Sequence, residues 1–120
     1  MEKKVLTIRI DEDDLYLVLR AMSQHTAQDT EAMREIALKY ARMGEDWRAV
    51  IENHEKVTEA ERKVYNQLVD QWCEQVGVED ADTWNHLKTC MEICVQNWEL
   101  YKSEIEKAAS ERRPVLSIVK

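Results

Sequence analysis

Residues 3–40 read KKVLTIRIDEDDLYLVLRAMSQHTAQDTEAMREIALKY, and the order of patterns within this stretch decides the fold. Val5 to Ile10 alternates, with Leu6, Ile8 and Ile10 on one side of an extended chain and Val5, Thr7 and Arg9 on the other. That period of two predicts a half-buried strand. Asp11 then suits a helix N-cap, and Glu12, Asp13 and Asp14 suit the positive end of a helix dipole. Leu15, Val18, Leu19 and Met22 recur at helical spacing, which predicts a helix over about residues 12–25. His25-Thr26-Ala27-Gln28 reads as a turn, after which Asp29 or Thr30 caps a second helix.

The second helix carries Met33, Ile36, Tyr40, Met43, Trp47 and Val50 at alternating steps of three and four. Gly44 interrupts it. Either it ends one helix and Asp46 caps the next, or it sits inside one long helix at a cost of about 1 kcal/mol. Farther on, Thr58-Glu59-Ala60-Glu61 has the form of a capping box, opening a helix with Val64, Tyr65, Leu68, Val69, Trp72, Cys73 and Val76 on one face, closed by Gly77. Asp82 or Thr83 caps a last helix. Its stripe of Trp84, Leu87, Met91, Cys94, Trp98, Tyr101, Ile105 and Ala108 keeps 3-4 spacing for over three heptads and must pack on other helices, in the same chain or a partner. Pro114 stops it, and Val115 to Val119 reads as a short C-terminal strand.

At 120 residues the chain is long enough to bury roughly two thirds of its unfolded surface without staples. Two glycines and one proline favour long helices. The net charge of −7 argues against coating nucleic acid by bulk attraction. The charge is uneven: Lys3, Lys4 and Arg9 outnumber Glu2 within the first ten residues, whereas residues 45–120 hold 10 basic and 16 acidic residues. Three cysteines, Cys73, Cys90 and Cys94, lack disulfide-framework spacing and predict reduced thiols in a cytoplasmic protein. No apolar run approaches the roughly 20 residues of a membrane span, and the amino-terminal residues do not form a signal peptide.

The strand-helix-helix order, together with Thr30-Glu31-Ala32-Met33-Arg34-Glu35 at the second helix start and the spacing from Arg9 to Arg34, resembles the ribbon-helix-helix family of DNA-binding proteins over the first third of the chain. The resemblance implies a homodimer whose two strands pair antiparallel and enter the major groove. Thr7 and Arg9 would read bases with Val5 beside them, Lys3 and Lys4 would contact phosphate, and the helix start at Thr30 would clamp the DNA backbone. Leu6, Ile8 and Ile10 would pack on the helices of both chains. The implied function is a repressor or antitoxin-like regulator.

Two alternatives stand beside it. Residues 5–10 can instead pair with the chain's own 115–119, leaving Thr7 and Arg9 merely solvated. The chain then reads as a small acidic helical interaction protein, an inhibitor or adaptor, that meets itself or a protein partner through Leu6, Ile8, Ile10, Trp84, Leu87, Met91, Trp98 and Tyr101. The rhythm of helices 59–76 and 83–112 is also similar to that of phage DNA-packaging small subunits, without a diagnostic motif.

Chemistry-bearing residues are few. His86, Cys90 and Cys94 span two helical turns, roughly 12 Å, too far for all three to reach one ion. A pair of them completed by Cys73 or His54 is the sharper reading, and buried thiols are the preferred one. Glu45, Asp46, Glu52, Glu55, Glu59 and Glu61 read as a solvated helical face, and the four tryptophans as core. No nucleophile with a recognisable base or phosphate loop stands out, so neither an enzyme nor a cofactor or metal is expected. The fold expected is mainly α: an N-terminal β-strand, a helical bundle and a short C-terminal strand, with residues 1–44 as the DNA-binding and dimerisation segment and 45–120 as an acidic helical region.

Overall fold

Both glycines and the proline fall at positions 44, 77 and 114, and the long stretches they leave uninterrupted form helices. The structure, a computed structural model, describes residues 3–76 and 81–111. It contains α1 (Glu12–Met43), α2 (Trp47–Val76) and α3 (Ala81–Glu111). Each runs for roughly 45 Å or more at 1.5 Å per residue. The start of α1 is built as the sequence leads one to expect, and of the two readings at Gly44 the structure takes the helix stop. Asp11 accepts the Asp13 amide at 2.8 Å, and Glu12, Asp13 and Asp14 fill the first turn of α1. Gly44, at φ 76 and ψ 17, closes α1 in the left-handed conformation. Its amide bonds to Ala41 and the Glu45 amide to Tyr40, the paired bonds of a Schellman turn. Asp46 then accepts the Ala49 amide at 3.2 Å and starts α2.

Three expectations are corrected. There is no turn at residues 25–28, and neither Asp29 nor Thr30 begins a helix, because α1 passes through them without a break. Thr58 likewise lies inside α2 rather than at its start. Threonine and aspartate resemble caps locally, but with no glycine or proline nearby the helix continues, and the buried His54 takes up the Thr30 and Thr58 hydroxyls. Lastly, the N-terminal β-strand is absent: residues 3–11 lead into α1 with no sheet partner, and no strand occurs among the described residues. Alternation records which side chains would share a face. It does not supply the neighbouring backbone that a strand needs for its amides and carbonyls. The C-terminal strand expected at 115–119 lies outside the described residues.

Contacts along the bundle fix its topology. Ser23 meets Cys94 and Arg34 meets Glu104, so α1 and α3 run parallel; Glu12 meets Trp72 and Thr30 meets His54, so α2 runs against α1. The core has two apolar ends. One holds Leu19, Tyr65, Val69, Trp72, Leu87 and Met91; the other holds Ala37, Leu38, Ala41, Ile51, Trp98 and Ile105. Both draw on all three helices, so residues 12–43 share their packing with residues 47–111. The 3-4 stripe of α3 is thus covered by its own chain at Leu87, Met91 and Trp98, with Tyr101 half-buried. No helix among the described residues is long and apolar enough to cross a membrane.

Tyr65 is wholly buried and donates its hydroxyl to the Leu87 carbonyl at 2.5 Å, tying α2 to α3. Burial first, and the nearby Cys90 and Cys94 second, push its phenol well above the usual range. A folded-state value above the unfolded one, about 10, means stability that is complete below that pH and is lost as pH rises toward the folded value. Tyr65→Phe should therefore cost about 1 kcal/mol at neutral pH and reduce the loss of stability above pH 10, both read from urea melts of the two proteins.

Candidate functional site

Between the two apolar ends lies a layer of polar side chains. Continuing the 3-4 spacing of α1 beyond Leu19 and Met22 reaches Thr26 and Thr30; in α2 the spacing runs through His54, Thr58 and Glu61. Because α1 and α2 are antiparallel, these positions meet. His54 is 2% exposed, as is Thr30. The imidazole Nε2 lies 3.3 Å from the Thr30 hydroxyl and 3.2 Å from that of Thr58, and its ring packs on Trp98 at a centroid distance of 4.3 Å. Nδ1 faces the Asp29 carboxylate at 3.8 Å.

These contacts suit the neutral tautomer with its proton on Nδ1, toward Asp29, and Nε2 accepting from a threonine hydroxyl. Burial pushes the His54 pKa below the ordinary value, while the Asp29, Glu61 and Glu55 carboxylates pull in the opposite direction. One turn away, Thr26 is buried and donates to Glu61 Oε2 at 2.7 Å, with the Met22 carbonyl also within reach at 3.0 Å. His25, Asp29 and Glu61 then bring an imidazole nitrogen and two carboxylate oxygens within 4.8 Å of one another at the rim of the layer.

The other two seams are closed differently. Arg34 grips Glu104 through two nitrogens, at 2.7 and 3.2 Å, lies over the Tyr101 ring and also meets Glu35. Tyr101 in turn donates to Glu31. Between α2 and α3, Arg62 pairs with Glu92, Lys88 with Asp70 and Lys102 with Glu55. Arg34 of the Arg34-Glu35 motif that supported the family resemblance thus serves as an interhelical clamp.

The residues expected to touch DNA are divided by the structure. Lys3, Lys4, Val5, Thr7 and Arg9 all lie exposed on the arm, while Thr30 is enclosed at the centre of the bundle. A buried mid-helix threonine offers no free amide to a phosphate, so the expected backbone clamp is not assembled. Leu6, Ile8 and Ile10 do not pack on the helices of their own chain but stand exposed. Trp84 lies in the first turn of α3. His86 and Cys90 approach to 3.7 Å, whereas Cys94 turns toward the Ser23 and Cys90 carbonyls.

Sequence reasoning missed this grouping, reading His25 as part of a turn, Asp29 as a helix cap, and Glu61 as part of a capping box and of a solvated face. Their signal was present: one helical turn separates His25 from Asp29, and Glu61 lies on the stripe linking His54 to Tyr65. Compared with known proteins, the chain matches no family model, no curated protein and no solved structure.

The polar layer makes a quantitative prediction. His54→Leu keeps much of the volume but leaves Thr30 and Thr58 without the imidazole nitrogen, and should cost about 2 kcal/mol in urea unfolding. Adding Thr30→Val and Thr58→Val removes the orphaned hydroxyls and should recover most of that loss. A triple variant less stable than the single one would contradict this account.

Proposed function

We propose that this chain is a non-enzymatic protein-interaction protein, in which a rigid acidic helical body carries an adhesive N-terminal arm. One observation carries the reading. Leu6 is 77% exposed, Ile8 78% and Ile10 45%, on a segment that adds nothing to a core already packed by three helices. Aliphatic side chains gathered at this density on one exposed segment favour a polypeptide surface over water.

A second copy of the same arm is the occupant the charges favour. Lys3 and Lys4 lie at its start and Asp11, Glu12, Asp13 and Asp14 at its end, with the aliphatic residues between. Two arms laid antiparallel bring the basic start of each to the acidic end of the other and cover Leu6, Ile8 and Ile10 between them. Thr7 and Arg9 remain hydrated on the opposite side. The clustered carboxylates on the helical body disfavour closer contact between copies, leaving the body free to meet other proteins.

Sedimentation equilibrium over rising protein concentration tests this reading. The wild-type chain should shift from monomer toward dimer, while Leu6→Asp with Ile8→Asp should remain monomeric with an unchanged melting temperature. Raising the salt should weaken the wild-type dimer without abolishing it. A wild-type chain that stays monomeric throughout, or a variant that dimerises equally well, would refute the proposal.

A further inference from the structure

We infer that His25, Asp29 and Glu61 form a site for a first-row transition dication of the Zn²⁺ class, which ties α1 to α2. The argument begins with charge. The α1–α3 and α2–α3 seams each carry carboxylates paired with arginine or lysine. Across the α1–α2 seam, no lysine or arginine among the described residues pairs with Asp29 or Glu61. Two carboxylates therefore converge at a helix junction, with an imidazole as their nearest nitrogen donor.

The geometry supports a shared ion. His25 and Asp29 are one turn apart on α1, and Glu61 faces them from α2, with one ligand atom of each within 4.8 Å of the others. Tetrahedral bonds of about 2.0–2.1 Å place ligand atoms roughly 3.4 Å apart. The required contraction is at most about 1.4 Å and lies within the reach of side-chain rotation, since His25 is exposed and the two carboxylates are half-buried.

One of the donors is already held from behind, and a second faces a buried ring across 3.8 Å. The buried Thr26 hydroxyl fixes Glu61 Oε2 at 2.7 Å. The buried His54 ring, itself placed by Thr30 and Thr58, faces Asp29 Oδ2. Such outer contacts orient ligands and sharpen affinity. One imidazole and two carboxylates favour Zn²⁺ and its neighbours over Mg²⁺ and Ca²⁺, which prefer oxygen donors alone. Three protein ligands leave at least one coordination position to water. Binding neutralises both carboxylates and links helices that otherwise share only hydrogen bonds and packing on this side.

The test uses the untagged full chain, titrated with ZnCl₂ against a chromophoric chelator and melted with and without Zn²⁺ or Mg²⁺. Wild type should take up one Zn²⁺ per chain and melt at a higher temperature with it, and Mg²⁺ should have no effect. His25→Ala should weaken uptake at least tenfold and remove the shift. Glu61→Gln, which retains an acceptor for Thr26, should do the same with helix content unchanged by circular dichroism. Cys90→Ser, which breaks the rival His86–Cys90 pair, should bind as wild type does. Absence of uptake, or uptake that survives His25→Ala and disappears in Cys90→Ser, overturns the assignment.

Discussion

His54, enclosed between Thr30, Thr58 and Trp98, is the contact on which the arrangement of the bundle turns. Helices with 3-4 apolar stripes can slide by a heptad and still bury aliphatic groups. A buried imidazole cannot slide with them at no cost. Moved one heptad along α1, it would leave Thr30, and that buried hydroxyl would lose its nitrogen. Each orphaned polar group costs about 1–3 kcal/mol, whereas a satisfied one contributes only about 1 kcal/mol. The polar layer therefore adds little to stability in the right register and penalises the wrong ones heavily. This is the pattern by which an internal polar residue sets helix alignment.

The same layer explains which parts of the fold were legible. The mainly helical class and the Asp11 cap follow from local chemistry and the structure contains both, while of the two readings open at Gly44 it takes the helix stop with the Asp46 restart. Their physics lies within a turn of chain. Thr30 and Thr58 illustrate the opposite case. As caps they would contribute about 1 kcal/mol each, but as partners of a buried imidazole they avoid a larger penalty, and that partner is 24 residues from Thr30. Local pattern cannot weigh a contact made by a distant helix. The alternation at residues 5–10 failed for a related reason, since a strand is completed by a neighbour and the alternation names none.

The candidate site was partly written in the chain as well. A helical stripe that changes from leucine to threonine at 26 and 30, and another that changes from isoleucine to histidine and threonine at 54 and 58, mark matching polar depths once the helices are antiparallel. Reading residues 25–28 as a turn broke the stripe just where it became informative. Glu61 was hidden differently. It was grouped with carboxylates on neighbouring turns that do face water, and only its 3-4 distance from Thr58 and Tyr65 sets it on the inner face. Sequence proximity grouped it wrongly; helical phase groups it correctly.

The arm and the bundle obey different energetics, and the difference bounds what the arm can do. Covering an aliphatic side chain fully is worth about 1.5–3 kcal/mol, and two arms offer Leu6, Ile8 and Ile10 each. Against this, ordering a residue's backbone costs about 1–2 kcal/mol, over some half dozen residues in each arm, and association has its own entropic cost. The cost matches or exceeds the gain, so arms pairing without further contacts form at most a weak, concentration-dependent dimer rather than an obligate one. The terminal charges change the alignment more than the affinity, because exposed ion pairs contribute at most about 1 kcal/mol. A marginal self-contact of this kind is readily displaced by any partner that covers the same aliphatic side chains more completely.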